Sequence, residues 1–103
     1  MAKPKIEIIN LRDEKPSHEY DVRIHRNSPL GNPFRMCGES TRDDVCNRYY
    51  AHFYHQMESG GTMLAEVTRI QALLNKHGIV RLFCWCAPKR CHGETIRDFL
   101  LHD

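Results

Sequence analysis

The stretch Leu82-Phe83-Cys84-Trp85-Cys86-Ala87-Pro88-Lys89-Arg90-Cys91-His92-Gly93-Glu94-Thr95 holds the residues best able to do chemistry. It carries three of the five cysteines, the only tryptophan, one histidine and two basic residues. Zinc would accept Cys84, Cys86, Cys91 and His92 as ligands, and the thiols would lose their protons on binding. The spacing suits zinc poorly, however. One residue between Cys84 and Cys86, and none between Cys91 and His92, strains a tetrahedron, so buried thiols are the competing reading. Catalysis is a second use. A cysteine at a helix start beside Lys89, Arg90 and His92 is expected to have a lowered pKa, which makes Cys91 a candidate nucleophile, with His92 and Glu94 as acid or base. Anion binding is the third use, and it asks least of these residues. Lys89, Arg90, His92 and the amides of Gly93 and Glu94 all supply donors, with Trp85 as an apolar or stacking surface.

The elements around this stretch must place it. Ile79 to Trp85 is rich in β-branched and aromatic residues and reads as a strand, which Pro88 breaks. Ile96, Phe99 and Leu100 then follow helical spacing, so Cys91-His92 falls at a helix start. Near the other end of the chain, Lys5 to Asn10 reads as a first strand. Tyr20 to Arg26 reads as a second, with Tyr20, Val22 and Ile24 inward and Asp21, Arg23 and His25 outward. Arg26-Asn27-Ser28-Pro29-Leu30-Gly31-Asn32-Pro33-Phe34 is a loop whose two prolines fix backbone angles and whose Leu30 and Phe34 offer apolar anchors. Ser40 or Thr41 caps a helix with Asp43 and Asp44 in its first turn, carrying Val45, Tyr49, His52, Phe53 and Gln56 on one stripe. That helix stops at Ser59-Gly60-Gly61. A second runs from Thr62 to Lys76-His77-Gly78, with Leu64, Val67, Ile70, Leu73 and Leu74 as its apolar stripe.

The order strand, strand, helix, helix, strand, helix supplies a helical crossover between the second and third strands, which predicts parallel pairing. The fold expected is a small single-domain Rossmann-like α/β sandwich over residues 1–103, with three or four mainly parallel strands and three helices. Both unusual loops leave the carboxyl ends of strands, where parallel sheets bind ligands. With 41% hydrophobic and 27% charged residues the chain is neither disordered nor membrane-spanning in composition, and no secretory segment is visible. A cytoplasmic location with reduced thiols is therefore expected. A net charge of +2 argues against a dedicated duplex nucleic-acid binder but leaves room for a local anion pocket.

Arg26 with Ser28-Pro29-Leu30-Gly31-Asn32-Pro33-Phe34, Thr41-Arg42 before a helix carrying Tyr49, and Cys84-Trp85-Cys86-Ala87-Pro88 followed by Cys91-His92-Gly93 resemble the family called domain of unknown function 4326. The resemblance runs from about the first strand to the last helix. His25 stands where glycine is common in that family, and Cys37 and Cys46 lie outside its pattern. It implies a compact α/β domain of bacteriophage or bacterial type, and no reaction. The reading of function comes from the donors: Arg26, Asn27, Ser28, Asn32 and Arg42 from one side, and Trp85, Lys89, Arg90, His92 and Gly93 from the other. These are expected to bind a phosphate-bearing nucleotide-derived ligand, of the kind that a phage protein would sequester from host signalling as an anti-defence device. An enzyme acting on a nucleotide or N-glycosidic bond, through Cys91, His92 and Glu94, is the alternative. A protein-interaction module with a structural Cys/His cluster, with or without zinc, is the other. No cofactor is required by the first reading, and a homodimer sharing the pocket fits a chain this small.

Overall fold

The computed structural model describes residues 3–25, 28–34, 38, 41–86 and 89–101. Among these, three parallel strands form one sheet in the order β1-β3-β2: β1 (Lys5–Asn10), β2 (Asp21–Arg23) and β3 (Ile79–Cys84). Three helices accompany them, α1 (Arg42–Ser59), α2 (Thr62–His77) and α3 (Gly93–Leu101). The α/β reading and its parallel pairing hold, with three strands among the described residues.

The register sets the two faces. Ile6 and Ile8 align with Val80 and Leu82, and Val22 aligns with Leu82, so these side chains share one face. They meet Tyr49 and Phe53 of α1, Met63, Val67, Ile70 and Leu74 of α2, and Ile96 and Leu100 of α3 in one buried cluster. All three helices therefore lie on the same side of the sheet. The other face carries Glu7, Arg81 and Asp21 in one row and Ile9, Phe83 and Arg23 in the next. It is covered by the connection from β1 to β2. Arg81 forks onto Asp21, at 2.8 and 3.0 Å, and reaches Glu14 of that connection, while its guanidinium sits 5.2 Å from the centre of the fully buried Phe83 ring. Asp21 also accepts the amides of Ser17 and His18. Burial works against its negative charge, yet the Arg81 guanidinium and these amides together hold its carboxyl well below the usual carboxylate range.

Two boundaries differ from the sequence reading. The second strand covers only Asp21–Arg23, although the amide of Ile24 still reaches the carbonyl of Phe83, so the chain stays beside β3 for one more residue. The third ends at Cys84, and Trp85 turns out of the sheet while its carbonyl accepts a hydrogen bond from the Asn10 side chain. Thr41 precedes α1 without capping it: its hydroxyl donates to the Gly38 carbonyl. Ser40 lies outside the described residues. At the end of α2, Gly78 takes a left-handed conformation, φ 75°, and its amide returns to Leu74, which is the helix stop that the sequence signals. Gly93 sits close to its neighbours for a different reason. A Cβ there would lie 2.9 Å from Cδ1 of Ile24, so its absence lets the start of α3 sit against the ends of β1 and β2.

Candidate functional site

At the carboxyl ends of β2 and β3 the structure leaves a cavity of about 230 Å³. Its wall is built from His25 after β2, Asn32 and Phe34 of the proline-rich loop, Arg42, Val45 and Cys46 at the start of α1, and Trp85, Cys86, Arg90, Cys91 and His92 after β3. The two loops singled out by sequence thus meet, as parallel strands require.

The proline-rich loop is held in shape by hydrogen bonds to itself and to α1. The amide and hydroxyl of Ser28 both donate to the carbonyl of His25, and Asn32 Oδ1 accepts the amide of Phe34 at 2.9 Å. Leu30 is fully buried, and its carbonyl accepts the hydroxyl of the equally buried Tyr49 at 2.8 Å. Burial pushes the Tyr49 hydroxyl up, so it remains a donor. Phe34 closes the loop by packing edge-on against His52. The second loop is tied to the same helix. Arg42 donates to the carbonyl of Arg90, and Arg90 in turn donates to the side chains of Asp43 and Asn47. The neighbouring Asp44 pairs with Arg48, and Asp98 with Arg97.

The chemistry of the Cys-His segment differs from the expectation. Cys91 does not sit at an exposed helix start beside free cations. It is buried with its sulfur 3.5 Å from that of Cys84, Lys89 is exposed, and Arg90 turns to α1. Contact with Cys84, reinforced by burial, pushes the Cys91 thiol far above its ordinary pKa, the reverse of the activated thiolate. Burial likewise raises Cys46, against the pull of Arg90 and Arg42. These two cavity-lining sulfurs are therefore neutral and soft. Glu94 is half-buried and does not line the cavity. The proposed acid-base set of Cys91, His92 and Glu94 does not converge on one point of it.

His92 also takes a different role. Its Nε2 donates to the carbonyl of Ile24, and its ring packs edge-on against Tyr49, with centroids 5.0 Å apart. Burial lowers its pKa, opposed by the bond to Ile24, and leaves a neutral imidazole. The α3 amides counted as anion donors are spent as well: Gly93 donates to the Cys91 sulfur and Glu94 to the Cys91 carbonyl. His92 and Gly93 thus do not form the anion cradle that sequence suggests. Nor do Cys84, Cys86, Cys91 and His92 form a metal centre. Among the described residues no group of three or more His, Cys, Asp or Glu side chains is arranged to hold an ion.

Trp85 departs from the usual core tryptophan. Trp85 is 59% exposed on the cavity wall, an unusual place for the largest aromatic residue in the chain. Arg42, Asn32 and Arg90 line the same cavity, whereas Ser28, Lys89 and Gly93 do not. Arg26 and Asn27 lie outside the described residues. Sequence reasoning missed Val45 and Cys46 as lining residues, because the helical stripe assigns Val45 to packing and Cys46 stands out only as lying outside the family pattern. It placed His25 on the outward face of a strand that in fact has already ended there, and it treated Phe34 only as an anchor.

The chain matches the family described as Domain of unknown function (DUF4326) over residues 9–102. It is 28% identical, over 82 residues, to an uncharacterised 12.4 kDa protein in the nrdA-td intergenic region of Enterobacteria phage T4. That alignment covers 80% of this chain and 68% of the phage protein. No solved structure matches. The described helices include none long and apolar enough to cross a membrane. Since the match spans all three strands except the start of β1, both cavity loops and all three helices, the chain belongs to the DUF4326 family.

Proposed function

We propose that this protein binds a nucleotide-derived ligand, with an aromatic base in the cavity and the phosphate outside it. The observation that carries the reading is the exposed Trp85 on the wall of an otherwise apolar cavity that has arginines on the same wall. An indole left in water at a concave site is a stacking platform in search of a flat partner, and stacking on a base contributes about 1–3 kcal/mol. Size supports the division of the ligand. The cavity is smaller than the roughly 300–1,000 Å³ pockets that enclose a drug-sized molecule, so it takes one ring system and leaves the remainder at the surface. Arg42 and Arg90 on the cavity wall offer cations to that remainder, and a planar guanidinium suits phosphate oxygens. The neutral thiols and the dispersed acid-base candidates favour binding over turnover. For a relative of a phage protein, holding a host signalling nucleotide in the host cytoplasm would need nothing more.

The test uses the single tryptophan of the chain as its probe. Titration with AMP, cyclic AMP and ADP-ribose, followed by fluorescence, should quench Trp85 saturably, and the ligand recovered afterwards should have unchanged mass. Calorimetry on Trp85→Ala, an exposed position whose loss leaves the core intact, should show affinity reduced about tenfold or more. No response to any of the three at millimolar concentration would refute the reading. A ligand recovered cleaved would move the assignment to the enzyme alternative.

A further inference from the structure

A nucleotide site must also choose among bases, and two side chains on the cavity wall have the chemistry for it. The carbonyl of Ile24 can only accept, so the proton it receives fixes His92 as the Nε2–H tautomer. Nδ1 then carries a lone pair, and it has no partner among the described residues. His92 is on the cavity wall, where this lone pair can meet a ligand. Asn32 is fixed in the same way. Its Oδ1 accepts the Phe34 amide, which leaves the Nδ2 amino group as a donor with no partner among the described residues. Among the described residues no carboxylate lines the cavity to stabilise an imidazolium.

We propose that His92 Nδ1 and Asn32 Nδ2 read the edge of a base that carries an amino group beside a ring nitrogen, as adenine and cytosine do. The amino group donates to His92, and the ring nitrogen accepts from Asn32. His92 is in this role a specificity residue for an N–H donor and not a phosphate ligand. The inference rests on the nucleotide reading above and adds to it the class of base. Its physical basis is asymmetric: a base that lacks the amino group leaves Nδ1 desolvated and unpaired, which costs more than the bond itself contributes.

The experiment compares AMP with purine riboside 5′-monophosphate, which differs by the amino group alone, on the wild-type protein by calorimetry. AMP is expected to bind at least about tenfold more tightly. In 15N-histidine spectra AMP should move the Nδ1 resonance of His92 in the direction of an accepted hydrogen bond, and the purine analogue should not. His92→Phe, where it folds, should bring the ratio of the two affinities to about one. Equal affinities on the wild type, or an unmoved Nδ1 signal with AMP bound, overturn the proposal while leaving the nucleotide reading standing. Absence of binding by both ligands overturns both.

Discussion

Replacing Tyr49 by phenylalanine tests how the cavity wall is held. The ring is fully buried and would stay so, so little apolar burial is lost; what disappears is the 2.8 Å hydrogen bond to the carbonyl of Leu30. That carbonyl belongs to a residue with no exposure and would be left without its partner. A buried acceptor stripped of its donor costs about 1–3 kcal/mol. For a chain of this length each kcal/mol moves Tm by roughly 4–8 °C, so a mid-range cost of about 2 kcal/mol predicts a fall of about 8–16 °C. The loss should also be local. The amides of Gly31 and Phe34, which bond to Ser28 and to the Asn32 side chain, follow the released carbonyl in the same loop. Their hydrogen-exchange protection should fall more than that of Leu82 in the central strand. Differential scanning calorimetry with amide exchange measures both. A Tm within about 2 °C of wild type, or equal loss of protection in the loop and in β3, would refute the claim that this hydroxyl anchors the loop.

On the opposite face, Asp21→Asn removes the carboxylate that Arg81 holds, and should cost about 3 kcal/mol at neutral pH. Because the folded carboxyl titrates below its unfolded value, its contribution is present above the ordinary carboxylate range and lost as pH falls through it; wild type should lose stability from about pH 5 downward and the variant should lose less over the same interval. Thermal unfolding from pH 7 to pH 3 reads the difference. Native-state alkylation at pH 8, mapped by mass spectrometry, should label the half-exposed Cys86 well before Cys91, whose labelling should appear only on denaturation; prompt modification of Cys91 would contradict its buried, protonated state. Gly78→Ala meets no neighbouring atom but inherits φ 75°, and should cost about 1 kcal/mol in urea unfolding through the backbone alone.

Much of this architecture is legible in sequence because it rests on local periodicity. The stripes hold at Val45, Tyr49 and Phe53 of α1 and at Val67, Ile70 and Leu74 of α2, with Met63 more deeply buried than Leu64, and the glycine stops and the β-branched run of β3 stand where pattern reasoning puts them. The two loops are legible as well, and parallel pairing follows from the helical crossover. What escapes is whatever depends on a partner far along the chain. The ionisation of Cys91 is decided by Cys84 and by burial, and neither is visible in the neighbouring Lys89 and Arg90. The proton on His92 is decided by the carbonyl of Ile24, 68 residues away. Trp85 reads from sequence as the end of the strand and as a stacking surface, and it is the end of the sheet at Cys84 that turns it outward. Val45 and Cys46 belong to a helix face by spacing, yet the start of α1 abuts a loop, so the same face serves as a wall.

The place of β3 in the sheet bears on how the chain reaches this state. It is the middle strand, yet it comes after both of its neighbours and both long helices, and it alone pairs with β1 and β2. On the ribosome, Lys5–Asn10 must wait for a partner more than seventy residues downstream, Ile79 to Cys84. Until that segment emerges, neither β1 nor β2 has a strand partner among the described residues, whereas α1 and α2 can pack on one another from contacts close in sequence. The sheet, its charged underside and the cavity at its end must then arise together once β3 is available, at the cost of closing one long loop. The first two strands remain unpaired edges until then, and the charged Glu7, Asp21 and Arg23 within them help keep those edges from pairing with other chains in the interval.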